Sequence, residues 1–177
     1  MVGIRYGGLQ RLIGGYKFRY MRAAVQPIAA LLIPYLQPAT VIVPIPTQGS
    51  HIRVRGYDHI DLIAQQLRYR TGVATMRLLS TQATHIQHTL SRQERALAVK
   101  QSFIIEHPPD PRRHYVLLDD IITTGATLLQ AARVLHVNGA TKVSVLAIAR
   151  QPSTKWLTSV KMGKVAIMAR WRGDRVV

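Results

Sequence analysis

The chain has 177 residues, 47% of them hydrophobic, which suits one domain with an ordinary core. It contains no cysteine, so a disulfide scaffold and a cysteine-ligated zinc site are excluded, and a reducing cytoplasm is the expected location. Lys+Arg 24 against Asp+Glu 8 gives a formal net charge of +16, a surface that attracts polyanions such as nucleic acid or a pyrophosphate-bearing substrate.

In chain order, Leu9, Leu12, Ile13 and Tyr16 fall at helical spacing. Met21, Ala24, Val25, Ile28, Leu31, Leu32 and Tyr35 do the same, with Pro34 and Pro38 marking that helix's end. The most apolar stretch, residues 23–36, is interrupted by Gln26, Pro27 and Pro34, so no membrane span is expected. Arg5, Arg11, Lys17 and Arg19 are scattered without the apolar run of a signal peptide. Residues 40–46 form a β-branched run that predicts the first core strand, and Asp58 is placed to cap a helix reaching about Arg70. Further strands are predicted over 73–79, 102–105, 115–118 and 143–149, with Gly139 closing the helix before the last. A final strand is placed at 164–169. Strands alternating with helices imply a mostly parallel sheet covered on both faces, with ligands bound beyond the carboxyl ends of the strands. Three parts follow: a helical segment over 1–38, an α/β domain over 39–150 and a basic tail over 151–177.

The richest stretch runs from Val116 to Thr127: apolar residues, then Asp119-Asp120, then Ile121-Ile122-Thr123-Thr124-Gly125-Ala126-Thr127, then a helical pattern over 128–137. A turn of hydroxyls and glycine that opens a helix aims backbone N–H groups at whatever lies above the strand end, which suits a phosphate. Carboxylates cannot hold phosphate directly but suit vicinal sugar hydroxyls or a shared magnesium ion. Two adjacent acids after a buried strand cost desolvation unless a ligand repays it. The seven histidines are scattered, with no pair at helical metal-ligand spacing beside a carboxylate.

This run resembles the signature of the type I phosphoribosyltransferases. The resemblance implies that Asp119 and Asp120 contact the ribose hydroxyls of phosphoribosyl pyrophosphate and a Mg2+ ion held mostly through that substrate. Thr123, Thr124, Gly125, Ala126 and Thr127 would wrap the 5′-phosphate. Two more landmarks, Val43-Pro44-Ile45-Pro46 with a basic loop ending Arg55-Gly56-Tyr57-Asp58-His59, and Leu90-Ser91-Arg92-Gln93-Glu94-Arg95, are similar to the ComF group of competence-associated proteins. The likeness covers residues 9–150. It implies a type I phosphoribosyltransferase fold, a mostly parallel sheet flanked by helices with a small hood.

Small residues and arginines in the loop after the first strand suit a pyrophosphate. Gly49, Ser50, Arg53 and Arg55 are therefore assigned to it, Arg55 having an alternative as ion-pair partner of Asp58 or Asp61. Arg92, with Arg95 and Lys100, is placed on a hood that closes over the leaving group, where charge neutralisation matters more than a strong nucleophile. The chain departs from the ComF pattern at Ala96-Leu97-Ala98, where Arg-Arg-Asn is usual, and in having no four-cysteine module. The expected function is a phosphoribosyl pyrophosphate- and Mg2+-binding protein serving DNA uptake, with a phosphoribosyltransferase activity of open acceptor. The alternatives are a non-catalytic factor that handles single-stranded DNA beside a competence helicase, its pocket sensing a nucleotide, and a nucleobase salvage enzyme.

Overall fold

A computed structural model describes residues 3–4, 22–47, 52–53, 56–81, 103–123, 125–150, 169–172 and 175–176, the backbone alone at 3–4, 150, 169–172 and 175–176. Its strands are β1 (Gly3–Ile4), β2 (Thr40–Pro44), β3 (Ala74–Thr75), β4 (Leu79–Thr81), β5 (Phe103–Ile105), β6 (His114–Ile122), β7 (Lys142–Arg150), β8 (Ala169–Arg172) and β9 (Arg175–Val176). Its α-helices are α1 (Val25–Leu32), α2 (His59–Thr71) and α3 (Ala126–Val137). Short 3-10 turns at Arg22–Ala24 and Ile33–Tyr35 flank α1. The helix expected over 9–16 lies outside the described residues.

The main sheet has the order β3-β2-β6-β7-β8-β9, with β1 also on β7. Pairings β2–β3, β2–β6, β6–β7 and β1–β7 are parallel, whereas β8 runs antiparallel on β7. β2 leads through α2 to β3 on one side, and β6 leads through α3 to β7 on the other. The direction of winding therefore reverses between β2 and β6, and sheets of this kind bind ligands in the crevice above the carboxyl ends of the two strands at such a reversal. β2 and β6 stay in register up to Pro44 opposite Leu118, and the Ile45 N–H then donates to the Leu118 carbonyl at 2.9 Å.

The pleat divides the core. Ile42, Val116, Leu118, Leu146 and Ile148 face α1 and α2, packing on Ile28, Leu32, Ile60, Ile63 and Leu67. Val41, Val43, Tyr115, Leu117, Val143 and Val145 face α3, packing on Leu128, Ala131 and Leu135. Every one of these side chains is at most 5% exposed, which is the near-continuous burial expected of parallel strands covered on both sides.

Two differences from the sequence expectations have physical causes. The strand placed at 73–79 is two strands: β3 joins the main sheet, then the chain crosses over Met76 to Leu78 into a separate antiparallel pair with β5. Met76 N–H still bonds the Ile42 carbonyl, while the Leu78 carbonyl already accepts from Glu106 N–H, which marks where the chain changes sheets. β6 does not stop at Leu118 but continues through both aspartates to Ile122, because its pairing with β7 keeps one register, passing over Asp120, to Ile122 opposite Arg150. Residues 164–168 of the last expected strand lie outside the described residues, and β8 is described from Ala169. In the turn before β6, Arg112 hydrogen-bonds Asp110 through its guanidinium and backbone N–H and pulls that carboxyl down to about 2.

Candidate functional site

The loops after β2 and β6 meet at the crevice, one leading to α2 and the other to α3. The α2 loop is closed by its own sequence. Asp58, extended at φ −84°, accepts from the N–H groups of Ile60 and Asp61 with one oxygen, as an N-cap should. The same oxygen takes the Thr47 hydroxyl at 2.9 Å, so the far end of the basic loop is tied to its near end. Tyr57 is buried in the α1–α2 core, with the Arg22 guanidinium 4.9 Å above its ring. Asp61 is engaged by Arg77 and Gln65.

The other loop differs. α3 begins at Gly125, which sits in the left-handed region at φ +78° and provides no side-chain cap. The Gly125 carbonyl accepts the first helical bond from Leu129 N–H at 2.9 Å. The positive end of α3 lies on the side where a phosphate fits. Thr123 and Ala126 are exposed, and Gly125 and Thr127 half-buried.

The two aspartates part company. On a strand, neighbours point to opposite faces. Asp119 follows Tyr115 and Leu117 toward the α3 side, is half-buried, and accepts the Asp120 N–H at 2.8 Å. Asp120 follows Val116 and Leu118 toward α2 and is 5% exposed. Its Oδ1 accepts from Ile121 N–H at 2.7 Å, and its Oδ2 lies 2.8 Å from His59 Nε2. His59, in the first turn of α2, is itself 5% exposed. The desolvation of Asp120 is offset from within the protein. Sequence reading gave His59 no role, although it stands in the Arg55-Gly56-Tyr57-Asp58-His59 landmark; a histidine directly after an N-cap and facing the strand ends was the available signal.

Of the remaining expected site residues, Arg53 is described and exposed. Gly49, Ser50, Arg55, Thr124 and Arg92, with Arg95 and Lys100 of the hood, lie outside the described residues. The strands on either side of the expected hood are described: β4 and β5 pair and seat Leu79 and Phe103 in the α3-side core. For a metal, the described residues hold no cluster of three or more His, Cys, Asp or Glu side chains. Asp119, half-buried, offers a hard oxygen donor, which fits Mg2+ bound through one carboxylate and completed by a substrate's own oxygens, whereas both Asp120 oxygens are engaged within the protein.

Among the described residues no helix is long and apolar enough to cross a membrane. No protein-family model matches the chain. It is 34% identical over 117 residues to DNA utilization protein YhgH of Salmonella typhimurium and 36% over 118 residues to that of Escherichia coli K12, in both cases 65% of this chain and 51% of the relative. It is 30% identical over 113 residues to competence protein F of Haemophilus influenzae, 62% of this chain and 49% of that protein. The chain thus spans about half the length of the curated relatives it matches. Among solved structures, it superposes with a TM-score of 0.50 and 18% identity on the glutamine phosphoribosylpyrophosphate amidotransferase of B. subtilis, over 72% of this chain and 26% of that one. The chain is a homologue of the YhgH and competence F proteins, built on a type I phosphoribosyltransferase fold.

Proposed function

We propose that the crevice above β2 and β6 binds a ribose 5-phosphate moiety, with phosphoribosyl pyrophosphate and Mg2+ as its ligand, in a protein that serves DNA uptake in the cytoplasm. The observation that carries this reading is the convergence, at the sheet's winding reversal, of an acid pair with a helix whose N-cap is a glycine in the left-handed region. Thr123, Thr124, Gly125, Ala126 and Thr127 hold the 5′-phosphate, and Gly49, Ser50, Arg53 and Arg55 the pyrophosphate. Asp119, the more exposed carboxylate, meets the ribose hydroxyls directly, with Asp120 set behind it. Mg2+ neutralises pyrophosphate charge when bound beside these acids. The chemistry such a site supports is displacement at the anomeric carbon. The bond to an acceptor nucleophile forms as the bond to the pyrophosphate oxygen breaks, and pyrophosphate leaves with the electron pair. Arg92 and its neighbours meet that charge.

Calorimetric titration with phosphoribosyl pyrophosphate and Mg2+ tests the reading on wild type, Asp119→Asn and Asp120→Asn. Saturable binding that is lost in either variant is expected. A wild type that takes up no heat with this ligand defeats the proposal.

A second reading rests on the net charge of +16 together with relatives named for DNA utilization and competence: the basic surface contacts single-stranded DNA, beside a helicase, while the pocket senses a nucleotide. Gel shifts with single-stranded DNA beside the calorimetry separate the two: a wild type that binds DNA but not phosphoribosyl pyrophosphate favours the second reading, and one that binds phosphoribosyl pyrophosphate but not DNA the first.

A further inference from the structure

We infer that His59 is the positioning residue of this site: it fixes the Asp120 carboxylate, and through it the end of β6 from which Asp119 and the phosphate loop project. The inference rests on the ligand reading above. Three observations lead to it. First, the His59 Nε2–Asp120 Oδ2 contact of 2.8 Å joins two side chains that are each 5% exposed, so water competes little for either. Second, both ends of the contact are anchored. His59 follows Asp58, whose carboxylate caps α2 and holds Thr47, and Asp120 is braced by Ile121 N–H through its other oxygen. Third, the contact links the two elements that flank the crevice, because His59 is the first residue of α2, just after the β2 loop, and Asp120 lies two residues before the end of β6.

A buried carboxylate with one oxygen on its own backbone has little freedom left once the second is engaged. Its position, and the adjoining Asp119–Asp120 backbone, are then fixed before a ligand arrives. Preorganisation of this kind lowers the cost of binding, since the ordering is already done in the empty protein. In sites of similar build, removal of an outer partner of a ligand-holding group costs about 10–100-fold in affinity or activity.

The test compares wild type, His59→Leu and His59→Gln by calorimetry with phosphoribosyl pyrophosphate and Mg2+, and follows folding by circular dichroism. Leucine removes the polar contact; glutamine returns an N–H donor at a similar reach. Affinity about 10-fold weaker or worse in His59→Leu, with most of it regained in His59→Gln, is expected. A merely structural histidine would not be rescued in affinity by glutamine beyond its effect on the melting temperature. Folded His59→Leu with wild-type affinity overturns the inference and leaves the ligand reading standing. Absence of binding in wild type removes that reading, and the positioning role with it. Should His59→Leu not fold, the imidazole 15N resonances of His59 in wild type decide. They are expected to shift when ligand and Mg2+ are added, and unshifted resonances overturn the role.

Discussion

Gly125 shows how much a single residue carries at this site. Its φ of +78° lies where a Cβ meets the following carbonyl, yet an added Cβ would come no nearer than 3.9 Å to Ile122 Cγ2, an ordinary contact. The cost of Gly125→Ala is therefore conformational, about 1–2 kcal/mol, and not steric. Urea unfolding of that variant is expected to show a lower midpoint at unchanged slope, with weaker phosphoribosyl pyrophosphate binding as the loop shifts out of the left-handed region. The glycine was legible in the sequence because its conformation is a local property. The Asp120 environment was not. Its partner lies 61 positions away, and periodicity says which face a strand residue occupies but not what waits there. With the strand expected to end at Leu118, the pleat was not applied to the two acids, which on β6 as it runs face opposite ways.

Elements were legible where local chemistry and tertiary context agree. The cap at Asp58 is one: its side chain, the two amides it accepts from and the following apolar periodicity all lie within one turn. Asp58→Ala is expected to cost about 1–2 kcal/mol, a capping loss. Thr47→Val, which removes only the tether to the basic loop, is expected to cost less. Chemical denaturation of both checks this, and equal losses would place the stability in the tether. β6 was read short because aspartate is a poor strand former, and its pairing with β7 overrode that preference. The span 73–79 was read as one strand because its composition does not reveal which sheet each half joins. That choice is made by β2 and β5, which the chain meets far apart in sequence.

At the scale of the molecule, alternation of strands and helices sufficed for the fold class, because parallel strands require covered faces whatever the details. The distribution of charge adds what alternation cannot. Each helix runs opposite to the strands it covers, so the last turn of α2 and the starts of β6 and β7 lie at the edge of the sheet away from the acid pair. Exposed Arg68, Arg70, Arg112, Arg113 and Lys142 gather there, whereas Asp119 and Asp120 sit at the other edge. A polyanion drawn to that cationic edge would leave the crevice open, so DNA and ligand need not compete. Contacts to phosphate alone give an affinity set by counterion release, with a slope of about −0.7 per phosphate for single strands. With about five phosphates engaged, affinity for a labelled oligo-dT is expected to fall on the order of 100-fold between 50 and 200 mM salt, measured by fluorescence anisotropy. Arg68→Gln with Arg70→Gln and Lys142→Gln should flatten that slope while calorimetric ligand binding is unchanged. Tyr69, 86% exposed between the two arginines, is the internal control. If bases stack on it, Tyr69→Ala costs about 1 kcal/mol or more; if the contacts are to phosphate only, the substitution is silent and the salt slope is kept.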